Sequence, residues 1–311
     1  MDTVAIVFEG PERISVRNLD LNPVGPDDVV VEVCFSGVST GTERLLWTGQ
    51  MPLFPGMGYP LVPGYESVGH VIETGVNVAH RLGEFVFIPG ATCYKNARGL
   101  FGGAARTLIV PSVRAIEIQE RLGARGVLMA LAATAHHAIA GGSPPDLIVG
   151  HGVLGRLIAR ITIGMGAPAP TVWETNEIRR AGTFGYPVIH PESDERKDYK
   201  TIIDASGAGS MLDTFVSRLA KGGEVVLAGF YEERLSFAFV PTFMREARLR
   251  IAAEWQPADL QATQALMRIG RLSLDELITH DQTPEGAEDA YATAFTDSAC
   301  LKMVLDWRQC A

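Results

Sequence analysis

Apolar side chains fall on alternate positions in the short runs VAIVFEG, ERISVRNL and DDVVVEVCFSGV, which are separated by Gly, Pro, Asn and Asp. Period-two spacing of this kind predicts half-buried strands joined by turns. A Gly- and Pro-rich stretch from Gly41 to Gly64 interrupts the rhythm, which resumes in ESVGHVIETG and EFVFIPG. The pattern predicts a compact β-rich domain with one long loop, and long loops in compact domains are usually functional. From about Arg121 the spacing changes. A helix-like GARGVLMALAATAHHAIA leads to the strand DLIVG, the helix LGRLIARITIGMG, the strands APTVWET and TIIDASG, a further helix and the strand GEVVLAG. That alternation predicts a parallel α/β sheet. The tail from about Leu272 returns to short mixed elements and is expected to fold back onto the N-terminal domain. The predicted domains are 1–120, completed by 272–311, and 121–271.

Composition narrows the function. The chain has 311 residues, 47% of them hydrophobic, and a formal net charge of −9. It is long enough for two domains with their own cores. Without clustered Lys and Arg, an acidic chain is not an electrostatic nucleic-acid binder, so a small molecule or another protein is the expected partner. No basic segment followed by an apolar run opens the chain and no window reaches 18 apolar residues, so neither export nor a transmembrane segment is signalled and a cytoplasmic location is expected. Cys34, Cys93, Cys300 and Cys310 lack the spacing of a disulfide framework or a structural zinc site.

Gly150, Gly152 and Gly155 in DLIVGHGVLGRLIARI form G-x-G-x-x-G directly after an apolar strand, with Val153 and Leu154 opening a helix. Such glycines let the backbone turn tightly and approach a diphosphate, which then sits at the helix N-terminus where free N–H groups favour negative charge. Glu174 ends the next strand about 20 residues on, where a carboxylate would accept hydrogen bonds from the adenosine ribose. This points to a Rossmann, doubly wound domain and to NAD rather than NADP. Arg179 and Arg180 follow closely, and an arginine there can hold a 2′-phosphate. Thr134, Ser206 and Gly229 complete the expected cofactor contacts.

The segment PLVPGYESVG places Tyr65 and Glu66 just ahead of an apolar strand, where a carboxylate is expected to be partly buried and so to need a partner. Together with VCFSGVSTGTE, the β-rich start, the late dinucleotide loop and the returning tail, it resembles the medium-chain dehydrogenase/reductase superfamily, to which alcohol dehydrogenases belong. The resemblance covers nearly the whole chain. It implies a GroES-like catalytic domain beside the Rossmann domain and a homodimer built by the dinucleotide domains.

Position by position the family's catalytic-metal pattern is altered. Ser39 stands at its Cys, Tyr65 at its His, Ala130 at its third ligand, and Gly41 at its proton-relay hydroxyl, while Glu66 remains. Hydroxyls are poor zinc ligands at neutral pH, so no metal is expected and the polarising role passes to hydrogen-bond donors and a base. Ser39, Tyr65, Glu66 and His136 are the catalytic candidates. His136 and His137 are adjacent on a helix and point about 100° apart, so at most one is expected to face the cofactor.

Within the superfamily the run STGTERLLWTGQMPLFPGMGYPLVPGYESVGHV, with TAHHAIAGG and YKTIIDASG, looks like the bacteriochlorophyllide dehydrogenases. That likeness implies NAD-linked oxidation of a 3-(1-hydroxyethyl) group on a tetrapyrrole to 3-acetyl. A flat apolar macrocycle needs a wide aromatic and aliphatic lip with a few polar groups. Trp47, Phe54, Met57 and Tyr59 are the candidates for the lip, with Thr40 beside them and Arg44 for a propionate carboxylate. Two other readings stand beside this one: a zinc-free quinone or enone reductase of the same superfamily, and a non-catalytic dinucleotide-binding protein.

Overall fold

A computed structural model describes residues 1–52, 56–231 and 234–310. The chain forms two compact units, 1–129 with 275–311, and 130–274. The first opens with β1 (Asp2–Gly10), β2 (Arg13–Asp20) and β3 (Asp28–Val38). These are the alternating runs read above, and β1 and β2 pair antiparallel from Asp2 opposite Asp20. Within the predicted loop the chain makes a helix, α1 (Thr42–Thr48), which buries Glu43, Leu45 and Leu46 and ends at Gly49 in the left-handed region, φ 74°. The flanking Gly and Pro hide two buried leucines that help hold about two helical turns on the core.

The next strands are β4 (Leu61–Val62), β5 (Ser67–Thr74), β6 (Phe85–Ile88), β7 (Arg98–Gly99), β8 (Thr107–Pro111) and β9 (Ile116–Glu117). A 3₁₀ segment, Glu120–Leu128, packs on β3 and β5, which places the unit boundary at 129/130 rather than at 120.

The second unit begins within α2 (Met129–Ala140) and continues through β10 (Leu147–Val149), α3 (Val153–Gly164), β11 (Thr171–Trp173), α4 (Glu177–Arg180), β12 (Val188–Ile189), β13 (Tyr199–Asp204), α5 (Leu212–Arg218), β14 (Leu219–Leu227), α6 (Phe239–Arg245), β15 (Arg248–Ile251) and α7 (Pro257–Arg268). Its six strands run in the order β12-β11-β10-β13-β14-β15, every neighbouring pair parallel. In chain order that is 3-2-1-4-5-6, the doubly wound arrangement, whose switch point lies between β10 and β13.

The chain then returns to the first unit as β16 (His280–Gln282), α8 (Ala287–Thr296) and β17 (Met303–Asp306). β17 pairs antiparallel with β3, Met303 opposite Val38, and completes a seven-stranded sheet. Tyr291 of α8 meets Phe8 of β1 edge to face, ring centroids 5.3 Å apart. No helix among the described residues is long and apolar enough to cross a membrane.

Candidate functional site

In the second unit the glycine loop follows β10. Gly150 has φ +96°, a conformation that side chains rarely adopt, and a Cβ there would press on the Ser206 main chain at 3.1 Å. A Cβ on Gly155 would lie 1.9 Å from the Gly150 carbonyl oxygen, so only glycine lets α3 start this close to β10. Gly152 caps α3, and a Cβ there would meet nothing within 4 Å. The loop therefore leaves open space beside Gly152, at the entry to the helix that Val153 and Leu154 begin. A bare, forward-facing backbone at the start of a twelve-residue helix suits a diphosphate.

Glu174 follows β11 and is buried; its Oε2 accepts the His151 N–H at 2.9 Å and its Oε1 the Asn176 N–H at 2.8 Å. The carboxylate thus ties the glycine loop to the end of β11. Ser206, after β13, donates its N–H and its hydroxyl to Asp204 Oδ1 at 2.9 and 2.6 Å, and Tyr231 donates to Oδ2 at 2.6 Å. Asp204 is fully buried and shapes the turn that lies against Gly150. The Gly229 N–H donates to the Asp204 carbonyl at 3.1 Å. Thr134, on α2, turns its hydroxyl back to the Ala130 carbonyl at 3.0 Å.

His151, the variable residue between the first two glycines, was not singled out by sequence. It is fully buried, its Nδ1 is 2.7 Å from the Arg179 carbonyl and its Nε2 is 3.0 Å from the Tyr186 hydroxyl. A carbonyl only accepts, so Nδ1 carries the proton and Nε2 accepts from Tyr186. Burial lowers its pKa to about 4, so the ring stays neutral. Phe184 meets the same ring edge to face, centroids 4.5 Å apart.

His136 and His137 both direct Nδ1 to one carboxylate, Asp259 of α7, at 2.7 and 2.8 Å. Burial opposes the charge on Asp259, but the Gln256 N–H and the two imidazoles outweigh it and hold the carboxyl below its usual range. His136 is left with Nε2 alone for any other partner.

In the first unit the stretch PGYESVG finds its partners. Glu66 is fully buried, and its Oε2 lies 2.7 Å from the Nζ of Lys302, which also donates to the Val38 carbonyl at 3.1 Å. Burial raises the Glu66 pKa and the ion pair opposes that shift. Lys302 precedes β17 and is 1% exposed. A lone lysine within the apolar run CLKMVLDW was the signal for it, though nothing local names its partner.

Tyr65, half-buried, stands with its hydroxyl 2.5 Å from Ser39 Oγ. Burial, with help from the Glu66 charge, pushes the phenol well above its ordinary pKa, so it stays protonated. Thr42 adds a second hydrogen bond to the phenol. Glu43, one residue further along α1, is a second fully buried acid that no local pattern singles out.

Ser39 and Tyr65 offer neutral hydroxyls in place of thiolate and imidazole, a donor set that does not fit zinc. Among the described residues no three His, Cys, Asp or Glu side chains group as metal ligands would. Of the expected lip, Trp47 is half-buried against Phe295, centroids 5.6 Å apart, and Tyr59 donates its hydroxyl to the Leu46 carbonyl. Met57 is half-buried on the same core, Thr40 is half-buried and Arg44 is exposed. Phe54 lies outside the described residues.

A doubly wound unit with a diphosphate loop, joined in one chain to a β-rich unit with a polar hydroxyl pair, is the architecture of a dinucleotide-dependent dehydrogenase. Residues 25–120 match the alcohol dehydrogenase GroES-like domain. The chain is 56% identical over 311 residues, 99% of each protein, to the 2-desacetyl-2-hydroxyethyl bacteriochlorophyllide A dehydrogenase of Rhodobacter capsulatus. Its fold matches an alcohol dehydrogenase of Escherichia coli CFT073 solved with NADH, TM-score 0.85 and 21% identity, covering 98% of this chain and 99% of that one. It also matches a dehydrogenase of Sinorhizobium meliloti 1021 bound to NADP, TM-score 0.83 and 21% identity over the same shares. The chain belongs to the bacteriochlorophyllide A dehydrogenase family of the medium-chain dehydrogenase/reductase superfamily, and it is an oxidoreductase.

Proposed function

We propose that this enzyme oxidises the 3-(1-hydroxyethyl) group of a bacteriochlorophyllide to 3-acetyl, with NAD as hydride acceptor and without a catalytic zinc. The observation that carries the reading is full-length identity of 56% to a relative named for that alcohol. The Ser39–Tyr65 pair supports it chemically. One of two hydroxyls 2.5 Å apart donates to the other, which leaves the second proton to be donated to a substrate oxygen.

When bound, NAD supplies the hydride acceptor for the carbinol carbon. The loop from Gly150 to Gly155 with the first turn of α3 would hold its diphosphate, and Glu174 its adenosine ribose. A carboxylate at that position repels a 2′-phosphate, which supports NAD over NADP. Arg179, Thr134, Ser206 and Gly229 would line the same cofactor. Ser39 and Tyr65 would orient the alcohol oxygen and relay its proton as the carbonyl forms, the hydroxyl that accepts it passing its own proton along the pair to water, with Glu66 and Lys302 fixing the segment behind Tyr65. His136 offers Nε2 as a further acceptor. The exposed faces of Thr40, Trp47, Met57 and Tyr59 would meet the macrocycle, and Arg44 a propionate.

The four cysteines stand as reduced thiols, which supports a cytoplasmic location. Phe239, Phe243 and Met244 stand exposed along α6 beside β15, the edge strand of the second unit, and such a surface supports a homodimer formed there.

The test is a hydride-transfer assay on a 1-hydroxyethyl bacteriochlorophyllide with NAD or NADP, with and without a chelator. Turnover with NAD that survives chelation is expected. Equal use of NADP would overturn the cofactor assignment, and stoichiometric zinc whose removal abolishes turnover would overturn the metal-free reading.

A further inference from the structure

Glu43 takes no part in the function proposed above, yet its surroundings tie it to the alcohol site. Its Oε1 accepts the Ser39 N–H at 3.0 Å, while its own N–H donates to the Ser39 carbonyl at 3.1 Å. Residue 43 therefore clasps the main chain of Ser39 on both sides, and Ser39 Oγ in turn meets Tyr65 at 2.5 Å. The second oxygen, Oε2, is buried and meets no described group at normal hydrogen-bond geometry, the Tyr291 phenol being the side-chain donor that acts on this carboxyl.

Four ionisable groups face this carboxyl: Tyr65 and Glu66 between β4 and β5, Lys302 ahead of β17 and Tyr291 on α8. The single positive charge among them is engaged at 2.7 Å by Glu66. A second buried anion would have no counterion of its own, and an unpaired buried carboxylate is far costlier than a protonated one. Burial pushes the Glu43 carboxyl up, the Ser39 N–H opposes and Glu66 adds to the rise, to about 8.

We propose that Glu43 is a positioning residue of the alcohol site: held as a neutral acid, it fixes the Ser39 main chain and through it the hydroxyl pair that meets the substrate oxygen. The inference rests on the assignment of Ser39 and Tyr65 to that oxygen. Ionisation of Glu43 places an uncompensated anion behind the pair at the point where the substrate oxygen gains negative charge as its proton leaves. Turnover then falls.

The experiment compares kcat and both KM values from pH 6 to 10 for the wild type, Glu43→Gln, Glu43→Leu and Tyr65→Phe, per folded molecule by near-ultraviolet circular dichroism. Glutamine is the isostere of the neutral acid and keeps the acceptor for Ser39, so Glu43→Gln is expected to retain most of kcat at pH 7. Loosening the hydroxyl pair in Glu43→Leu is expected to lower kcat about 10²-fold while KM for NAD stays put. The wild type is expected to lose kcat above about pH 8, and Glu43→Gln to keep it there. Wild-type kcat in Glu43→Leu, or the same high-pH loss in the wild type and Glu43→Gln, would overturn the proposal. If Glu43→Leu does not fold, the pH comparison alone decides. Full turnover by Tyr65→Phe removes the alcohol-site assignment and this inference with it. A slow Tyr65→Phe beside an unaffected Glu43→Leu removes the inference alone.

Discussion

Lys302 Nζ lies 2.7 Å from Glu66 Oε2, with both side chains closed off from solvent. Residues 236 positions apart in the chain thereby neutralise each other inside the β-rich unit. Removing one partner leaves the other charged and unpaired, which typically costs about 3–5 kcal/mol. Lys302→Met is expected to lower the unfolding free energy by about that much, and Lys302→Met with Glu66→Gln to recover a good part of it. Denaturant unfolding of the four corners of the cycle checks this; independent, additive losses would show that the pair is not coupled.

Glu174 holds two backbone N–H groups and is assigned to the ribose as well. Glu174→Ala is expected to weaken NAD about 10–100-fold, the range for a lost hydrogen bond to a charged group. It is also expected to narrow the gap between NAD and NADP. Titration of each cofactor into the two proteins measures this, and an unchanged NAD:NADP ratio would remove Glu174 from the ribose site.

Gly155 has no room for a side chain, since a Cβ would sit 1.9 Å from the Gly150 carbonyl oxygen. Gly155→Ala must push α3 from β10 and is expected to cost about 1–3 kcal/mol. NAD affinity should drop with it. An alanine variant with wild-type stability and NAD binding would show that the loop has slack.

His151 is held neutral by burial, with its pKa brought down from 6.5 to about 4. Between those values the unfolded chain takes up a proton that the folded ring refuses, so stability is lost as pH falls from about 6.5 to 4. His151→Gln is expected to flatten that arm of the stability profile without changing the arm contributed by carboxyls of low pKa such as Asp259. Melting temperatures across pH 4 to 7 decide it; an equally steep arm in the variant would place the proton uptake elsewhere.

How far the sequence speaks depends on how local each interaction is. Gly150, Gly152, Gly155 and Glu174 act within one strand–turn–helix–strand segment, so spacing alone brings them together. The order of the parallel strands follows from the same alternation of periods. α1 was hidden because its apolar support, chiefly Leu45 and Leu46, lies inside a stretch whose glycines and prolines read as loop. Glu66 announced that it needed a partner, yet Lys302 is supplied by the far end of the chain, where no local pattern links the two. His136 and His137 leave their helix about 100° apart, and Asp259 on another helix takes one imidazole on each of its two oxygens, a meeting that no local spacing shows.

The pairing of β17 with β3 also sets an order of assembly. Synthesis is vectorial, and Lys302 emerges after every residue of the dinucleotide unit, which can close its own parallel sheet first. The β-rich unit, though started earlier, must wait with an open flank on β3 and an unmatched acid at Glu66 until the last strand arrives. A chain that stops short of residue 302 can therefore finish its parallel sheet while residues 35–38 of β3 lack the β17 pairing and Glu66 lacks its counterion.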